Sequence, residues 1–315
     1  MKILTFNHHE SYLCSLAALG YEFDVITAKG SLDLSWNKRA RSVPANFNLV
    51  DFDEQTRKKL KTGQYDAVIC HTVKNLLWVW SYRKPRYVFI AHIPIFKTSI
   101  TGRVKGLFKK FIWRAFKLTH NATFFAVSHF KRDAWNEPGE VAVLTPEHFP
   151  PLKPLTAPSR IAIVCNDLLK RGEELGLDMI RRLRQDLPIQ TIGRNEGVDF
   201  NILPRDFADF QDLVTGFHIY LYTIKMPWGD GYNTAMLEAM RMGMAIVTVE
   251  NPTSPIEHGV NGLIGKTEDE LRQHLIQLRA DPELVNKLGA AAQKTVEENF
   301  SKEKFMAAWR RALGN

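Results

Sequence analysis

The chain has 315 residues, 45% hydrophobic and 24% charged, which is the balance of a soluble globular protein and is enough for two domains of ordinary size. That composition excludes disordered, collagenous and coiled-coil classes. The net charge of +8 is uneven: residues 1–155 carry 23 Lys and Arg against 12 Asp and Glu (+11), and residues 156–315 carry 19 against 22 (−3). A basic half joined to a mildly acidic half points to two domains with different partners, the first favouring something anionic. Apolar runs such as Tyr87–Ala91 fall far short of the roughly 20 residues of a membrane helix. The N-terminus reaches Asn7 and two histidines too soon for a signal-peptide core, so a cytoplasmic protein is expected. Three scattered cysteines (Cys14, Cys70, Cys165) predict neither a disulfide framework nor a metal site.

In chain order, short β-branched and aromatic runs alternate with amphipathic stretches, the pattern of βαβ units. Strands are predicted at Lys2–Phe6, Glu22–Thr27, Ala67–His71, Tyr87–His92, Thr123–Ser128 and Val141–Leu144, then at Arg160–Cys165, Ile189–Gly193, Phe200–Leu203, Ile219–Thr223 and Ala245–Val249. Helices are predicted at Ser11–Leu19, Gly106–Leu118, Asp178–Arg184, Thr234–Met242, Glu268–Ala280 and Glu283–Asn299. Five prolines in the thirteen residues Pro146–Pro158 cannot continue a helix or a central strand and read as a linker. The expectation is an α/β protein of two doubly wound, Rossmann-like domains facing a cleft: residues 1–150, with 300–315 packing back on them, and residues 159–299.

The richest stretch is Pro227–Gly243, a glycine-bearing loop that opens a helix just after a predicted strand. Glycines let backbone amides approach a ligand, and a helix N-terminus favours phosphate. Asp230 lies ahead of that helix and Glu238 about one turn inside it; carboxylates there suit sugar or ribose hydroxyls. Asp230-Gly231-Tyr232-Asn233, then Leu237-Glu238-Ala239-Met240, Gly243 and the strand Ala245–Val249 resemble the carboxylate–seven residues–carboxylate motif of the retaining nucleotide-sugar glycosyltransferases of family 4 (group 1), which have the two-domain GT-B fold. Pro255–Leu263, with its Asn261-Gly262-Leu263, and the tail from Phe300-Ser301 to Trp309 extend the likeness over about the last ninety residues.

The resemblance implies metal-independent transfer of a sugar, hexosyl by expectation, from a nucleotide diphosphate donor with retention and no cofactor. It implies that Glu238 holds the ribose and Asp230 the sugar, that Gly231, Tyr232, Asn233 and Thr234 line the donor, and that the backbone at Ile202 and Leu203 faces the base. Asn166 and Arg171-Gly172 stand where the family grips the diphosphate, although Asn166 brings no charge and Asp230 replaces a glutamate. His92, at a strand end before Pro94, matches the family's histidine beside the sugar; His71 reads as a shelf residue and Ser128 as structural. Replacing Glu238 by alanine is expected to weaken donor binding with the fold intact.

Asp51-Phe52-Asp53 has the spacing of a metal-holding triplet, but it precedes Glu54-Gln55-Thr56 and reads as a helix start. Residues 103–117 set Leu107, Phe108, Phe111, Ile112 and Phe116 at helical spacing, with Lys105, Lys109, Lys110, Arg114 and Lys117 on the flanks. Such a helix suits either an anionic membrane surface, hence a lipid-linked acceptor and attachment at the inner membrane face, or ordinary packing on a sheet. Nucleic-acid binding is set aside for want of a recognition motif. A nucleotide-sugar 2-epimerase and a catalytically inactive sugar-nucleotide binder of the same fold are the alternatives.

Overall fold

The computed structural model describes residues 1–95, 100–141, 144–147, 149–155 and 158–314. Residues 142–143 of one expected strand, and 148, 156 and 157 of the expected linker, lie outside the described residues. The chain divides into two compact units: Met1–Asn37, Val43–Leu144 and Lys302–Asn315 form the first, and Lys38–Ser42 with Thr145–Ser301 form the second. The first boundary therefore falls at 144/145, and a five-residue piece of the early chain belongs to the later unit.

The first unit runs β1 (Lys2–Phe6), α1 (Glu10–Ala17), β2 (Glu22–Lys29), β3 (Leu32–Asp33), β4 (Phe47–Asp51), α2 (Glu54–Thr62), β5 (Ala67–Cys70), α3 (Val73–Val79), β6 (Arg86–Ala91), α4 (Ile100–Thr119), β7 (Ala122–Ala126), α5 (His129–Trp135) and β8 (Glu140–Val141). Its strands lie in the order β3-β2-β1-β5-β6-β7-β8, with β4 also paired to β2; all pairings are parallel except the β2–β3 hairpin. Order reverses between β1 and β5, where Thr5 stands opposite Ile69, and the carboxyl ends of strands at such a point are where open α/β sheets bind ligands. The central strands are apolar on both faces, as a sheet covered by helices requires.

The second unit runs β9 (Ile161–Val164), α6 (Gly172–Leu175), α7 (Leu177–Leu183), β10 (Ile189–Ile192), β11 (Asn201–Ile202), α8 (Phe207–Val214), β12 (Ile219–Tyr222), α9 (Thr234–Met242), β13 (Ala245–Val249), β14 (Leu263–Gly265), α10 (Glu268–Ala280) and α11 (Pro282–Asn299). Its six strands are all parallel in the order β11-β10-β9-β12-β13-β14, with the reversal between β9 and β12. The proline-rich stretch is stitched to this unit: the Lys153 amide donates to Thr215 O at 2.9 Å, and His218 Nε2 lies 2.8 Å from Lys153 O. A final helix, α12 (Lys302–Leu313), returns to the first unit, where fully buried Trp309 lies against Phe125 at 4.4 Å between centroids and donates to Tyr12 Oη at 3.0 Å.

Helix starts follow local chemistry. Asp53 accepts from the Thr56 amide at 2.8 Å and caps α2, the helix-start role expected of the Asp51–Asp53 triplet; Ser128 caps α5 by accepting from Lys131 N at 3.3 Å. Helix α4 departs from a single stripe. Ile112, Trp113 and Phe116 are buried, Trp113 against Phe89 (5.1 Å) and Phe116 against Tyr87 (5.0 Å). Val104, Leu107, Phe108 and Phe111 are 61–68% exposed. At 100° per residue these four cluster opposite the buried set, so the helix has a second apolar face turned to solvent.

Candidate active site

The expected site residues fall in two groups, one in each unit. In the second unit, Asn166, Arg171, Ile202, Leu203 and the 230–234 segment lie at or after the carboxyl ends of β9, β11 and β12, on either side of the order reversal. The loop after β12 is held from several sides. Tyr222 Oη donates to Asp230 O at 2.9 Å, and Asn251 Nδ2 donates to Gly229 O at 3.2 Å. Asn251 Oδ1 accepts from Thr253 N (3.1 Å) and Thr253 Oγ1 (2.9 Å), and that hydroxyl in turn accepts from Gly231 N at 2.6 Å. A Cβ on Gly231 would collide with the backbone of Ser254, so this glycine is required by close backbone approach and not by a left-handed φ. Asn233 caps α9 by accepting from Met236 N at 2.8 Å. Sequence reasoning missed Asn251 and Thr253; the Asn-Pro-Thr-Ser turn right after β13 was the available signal.

Arg171 lies at the start of α6, its guanidinium forked onto Glu174 at 3.1 and 2.5 Å. Asn166 Oδ1 accepts from Arg194 N at 2.8 Å, and Lys170 and Arg194 both reach Asp167 at 3.4 Å. Three cations, Lys170, Arg171 and Arg194, thus follow β9 or β10 and are paired with Asp167 and Glu174. These ion pairs are exposed and hold their partners weakly, which leaves the cations able to exchange onto another anion. Ile202 ends β11 opposite Ile192, and Leu203 beside it is 51% exposed.

Glu238 is buried. It is 4% exposed, and its carboxylate is paired with the guanidinium of Arg41, from the Lys38–Ser42 piece of this unit. Arg41 also lies 3.0 Å from Glu147 and sits over the rings of Phe207 (5.2 Å) and Phe149 (5.9 Å). Burial pushes the pKa of Glu238 up while Arg41 pulls it back, and Glu147 is shifted in the same way. Asp230 is equally buried at 3%. Arg41 left no trace in the sequence reading, because 197 residues separate it from Glu238.

In the first unit, His92 follows β6 and is half-buried. His71, after β5, puts Nδ1 at 2.8 Å from His92 Nε2, and its own Nε2 at 2.8 Å from Thr5 Oγ1. His8 and His9, after β1, bring their rings to 5.1 and 6.4 Å from that of His92, and Tyr12 meets it edge-on at 5.0 Å. Burial is the main cause that holds both His71 and His92 well below the ordinary histidine pKa, so both are neutral at pH 7. Among the described residues no three His, Cys, Asp or Glu side chains are arranged to hold a metal ion, and no helix is long and apolar enough to cross a membrane.

No protein-family model matches the chain, and no curated protein sequence matches it. Solved structures do. Sucrose-phosphate synthase from Thermosynechococcus elongatus superposes with a TM-score of 0.71 at 11% identity, covering 99% of this chain and 98% of that one. Anabaena HepE in complex with UDP-glucose gives 0.70 at 13% identity, with 99% of both chains covered. Staphylococcus aureus TarM, crystallised as a mutant in complex with Fondaparinux, alpha-GlcNAc-glycerol and UDP, gives 0.65 at 13% identity over 83% of this chain, which spans 58% of TarM's length. The two α/β sheets of this chain thus share the fold of these structures, the GT-B fold that the residues around Asp230 and Glu238 implied.

Proposed function

We propose that the protein is a nucleotide-sugar-dependent glycosyltransferase, hexosyl-transferring, that retains configuration and needs neither metal nor cofactor. The observation that carries this reading is the braced loop Gly229–Asn233 feeding the N-terminus of α9 at the reversal point of a GT-B sheet. The donor diphosphate takes the α9 amides, and Arg171 exchanges Glu174 for the charge that develops on the leaving diphosphate. Glu238 holds the ribose hydroxyls, in competition with Arg41, so donor binding displaces the Lys38–Ser42 segment. Asp230 serves the sugar, His92 serves a substrate hydroxyl, and the backbone at Ile202 and Leu203 meets the base. An epimerase or an inactive binder would share this donor site, and turnover separates them.

The test is a thermal-shift panel of UDP-, GDP-, ADP- and TDP-sugars, with UDP-glucose first because HepE binds it. A ligand at 100 times its Kd stabilises the native state by about 2.7 kcal/mol, a readable shift. One donor is expected to raise the midpoint, and both the shift and turnover are expected to survive EDTA. No shift with any donor overturns the reading; loss on chelation, restored by manganese, overturns its metal-free part.

The acceptor is proposed to be anionic or lipid-linked, at the inner face of a membrane. Helix α4 favours this, because Val104, Leu107, Phe108 and Phe111 are exposed between Arg103, Lys105, Lys109 and Arg114, an apolar ridge rimmed with positive charge. Each such cation near an anionic lipid surface contributes on the order of 1 kcal/mol. The protein is expected to co-sediment with phosphatidylglycerol vesicles, and to stay in the supernatant when Leu107, Phe108 and Phe111 are all changed to Gln. Wild-type protein in the supernatant at physiological salt removes the membrane from this proposal.

A further inference from the structure

The chain Thr5–His71–His92 runs across the carboxyl ends of three adjacent strands, β1, β5 and β6, at the point where strand order reverses. Two neutral imidazoles that share one N···N hydrogen bond have a single proton between them, so one ring donates and the other accepts. Thr5 decides which. Its Oγ1 lies 3.4 Å from Ile69 O, which can only accept, and 2.8 Å from His71 Nε2. With the Thr5 proton directed to Ile69 O, the hydroxyl oxygen accepts from His71 Nε2–H. His71 Nδ1 is then a lone pair, His92 Nε2–H donates to it, and His92 Nδ1 is left as a lone pair with no hydrogen-bond partner among the described residues. The opposite direction would set two oxygen lone pairs against each other at Ile69.

We infer that His71 is a positioning residue which, anchored by Thr5, fixes His92 as its Nε2–H tautomer and presents His92 Nδ1 as a hydrogen-bond acceptor for a substrate hydroxyl. The tautomer stands on this unit's geometry alone; the hydroxyl rests on the glycosyltransferase reading. The surroundings keep both rings neutral. The groups facing His92 are His71, His8, His9 and Lys131, which all oppose a proton on it, and the edge of Tyr12; Glu10 acts on His8. An acceptor-only imidazole can orient a sugar or acceptor hydroxyl or take its proton, whereas the other tautomer could only donate there.

Long-range ¹H–¹⁵N correlation on the ¹⁵N-histidine-labelled full chain tests this without any substrate. His71 and His92 are both expected as Nε2–H tautomers in the wild type. Asn at 71 sets an amide oxygen near the former Nδ1, so His71→Asn should keep the His92 tautomer and most turnover. His71→Leu should mix the His92 tautomers and lower kcat by about 10–100-fold, the scale seen when a metal-bound histidine loses its orienting partner, with donor KM unchanged. Thr5→Val, which leaves the His71 ring in place, should shift the His71 pattern and so reports even if His71→Leu does not fold. A wild-type His92 protonated at Nδ1, or a Thr5→Val protein with both tautomers unmoved, overturns the relay. Failure to transfer sugar with correct tautomers overturns the functional reading instead.

Discussion

Arg41→Ala is expected to lower the unfolding free energy by about 3–5 kcal/mol, because it strands a buried carboxylate. Glu238 has no solvent to replace the guanidinium, being 4% exposed, and Glu147 loses the same partner. The loss should depend on pH in a definite direction. Both carboxyls already have pKa values raised by burial, against the pull of Arg41; without Arg41 they rise further. A raised folded-state pKa means that the folded protein binds the proton more tightly, so stability is retained at acid pH and lost as pH climbs through the folded value. The deficit of the Arg41→Ala protein should therefore be larger at pH 8 than at pH 5 in denaturant titrations. The double change Arg41→Met with Glu238→Leu should recover most of it. A midpoint equal to wild type at pH 8 would show that the pair contributes nothing. Glu238→Ala is the milder change, because it leaves Arg41 its second carboxylate, Glu147, at 3.0 Å.

Trp309→Ala carries the second large effect, about 3–5 kcal/mol, for removal of a fully buried indole. The indole packs on Phe125 and is the hydrogen-bond donor to Tyr12, whose buried hydroxyl loses that partner. Trp309→Phe should keep most of the packing and lose the bond, a smaller change. Because the ring of Tyr12 borders His92, Trp309→Ala should also disturb the His92 resonances, and it should leave unit-two donor shifts in place. Near-UV circular dichroism with denaturant titration reads the first part. A variant that unfolds at the wild-type midpoint would mean that α12 does not complete the first core.

Much of this was legible. Apolar runs placed β1, β5, β6, β12 and β13 within a residue or two, and α9 matched at both ends because Asn233 caps it and Gly243, at φ +85°, stops it. Helix α3 escaped because Val-Lys-Asn-Leu-Leu-Trp-Val is too short to show a helical period, though Thr72 and Asn75 form a capping box. Strand β4 escaped because only Phe47 of its five residues is buried. The two faces of α4 merged in the sequence, since spacing reveals which residues share a side but not which side the sheet covers. The Arg41–Glu238 pair and the His71–His92 bond join distant positions, and no local pattern announces either.

Each unit is completed by a piece of chain far in sequence from the rest of it. The second needs Lys38–Ser42, and the first needs Lys302–Asn315. During synthesis the first sheet therefore leaves the ribosome with the slot for Trp309 still empty, and it cannot close until α12 emerges. Arg41, made early, must wait for Glu238, and a long-range contact of this kind forms late because the intervening loop has to be closed first. Cutting the gene at the proline-rich stretch should yield two fragments that are each incomplete, and that recover native structure only when co-expressed.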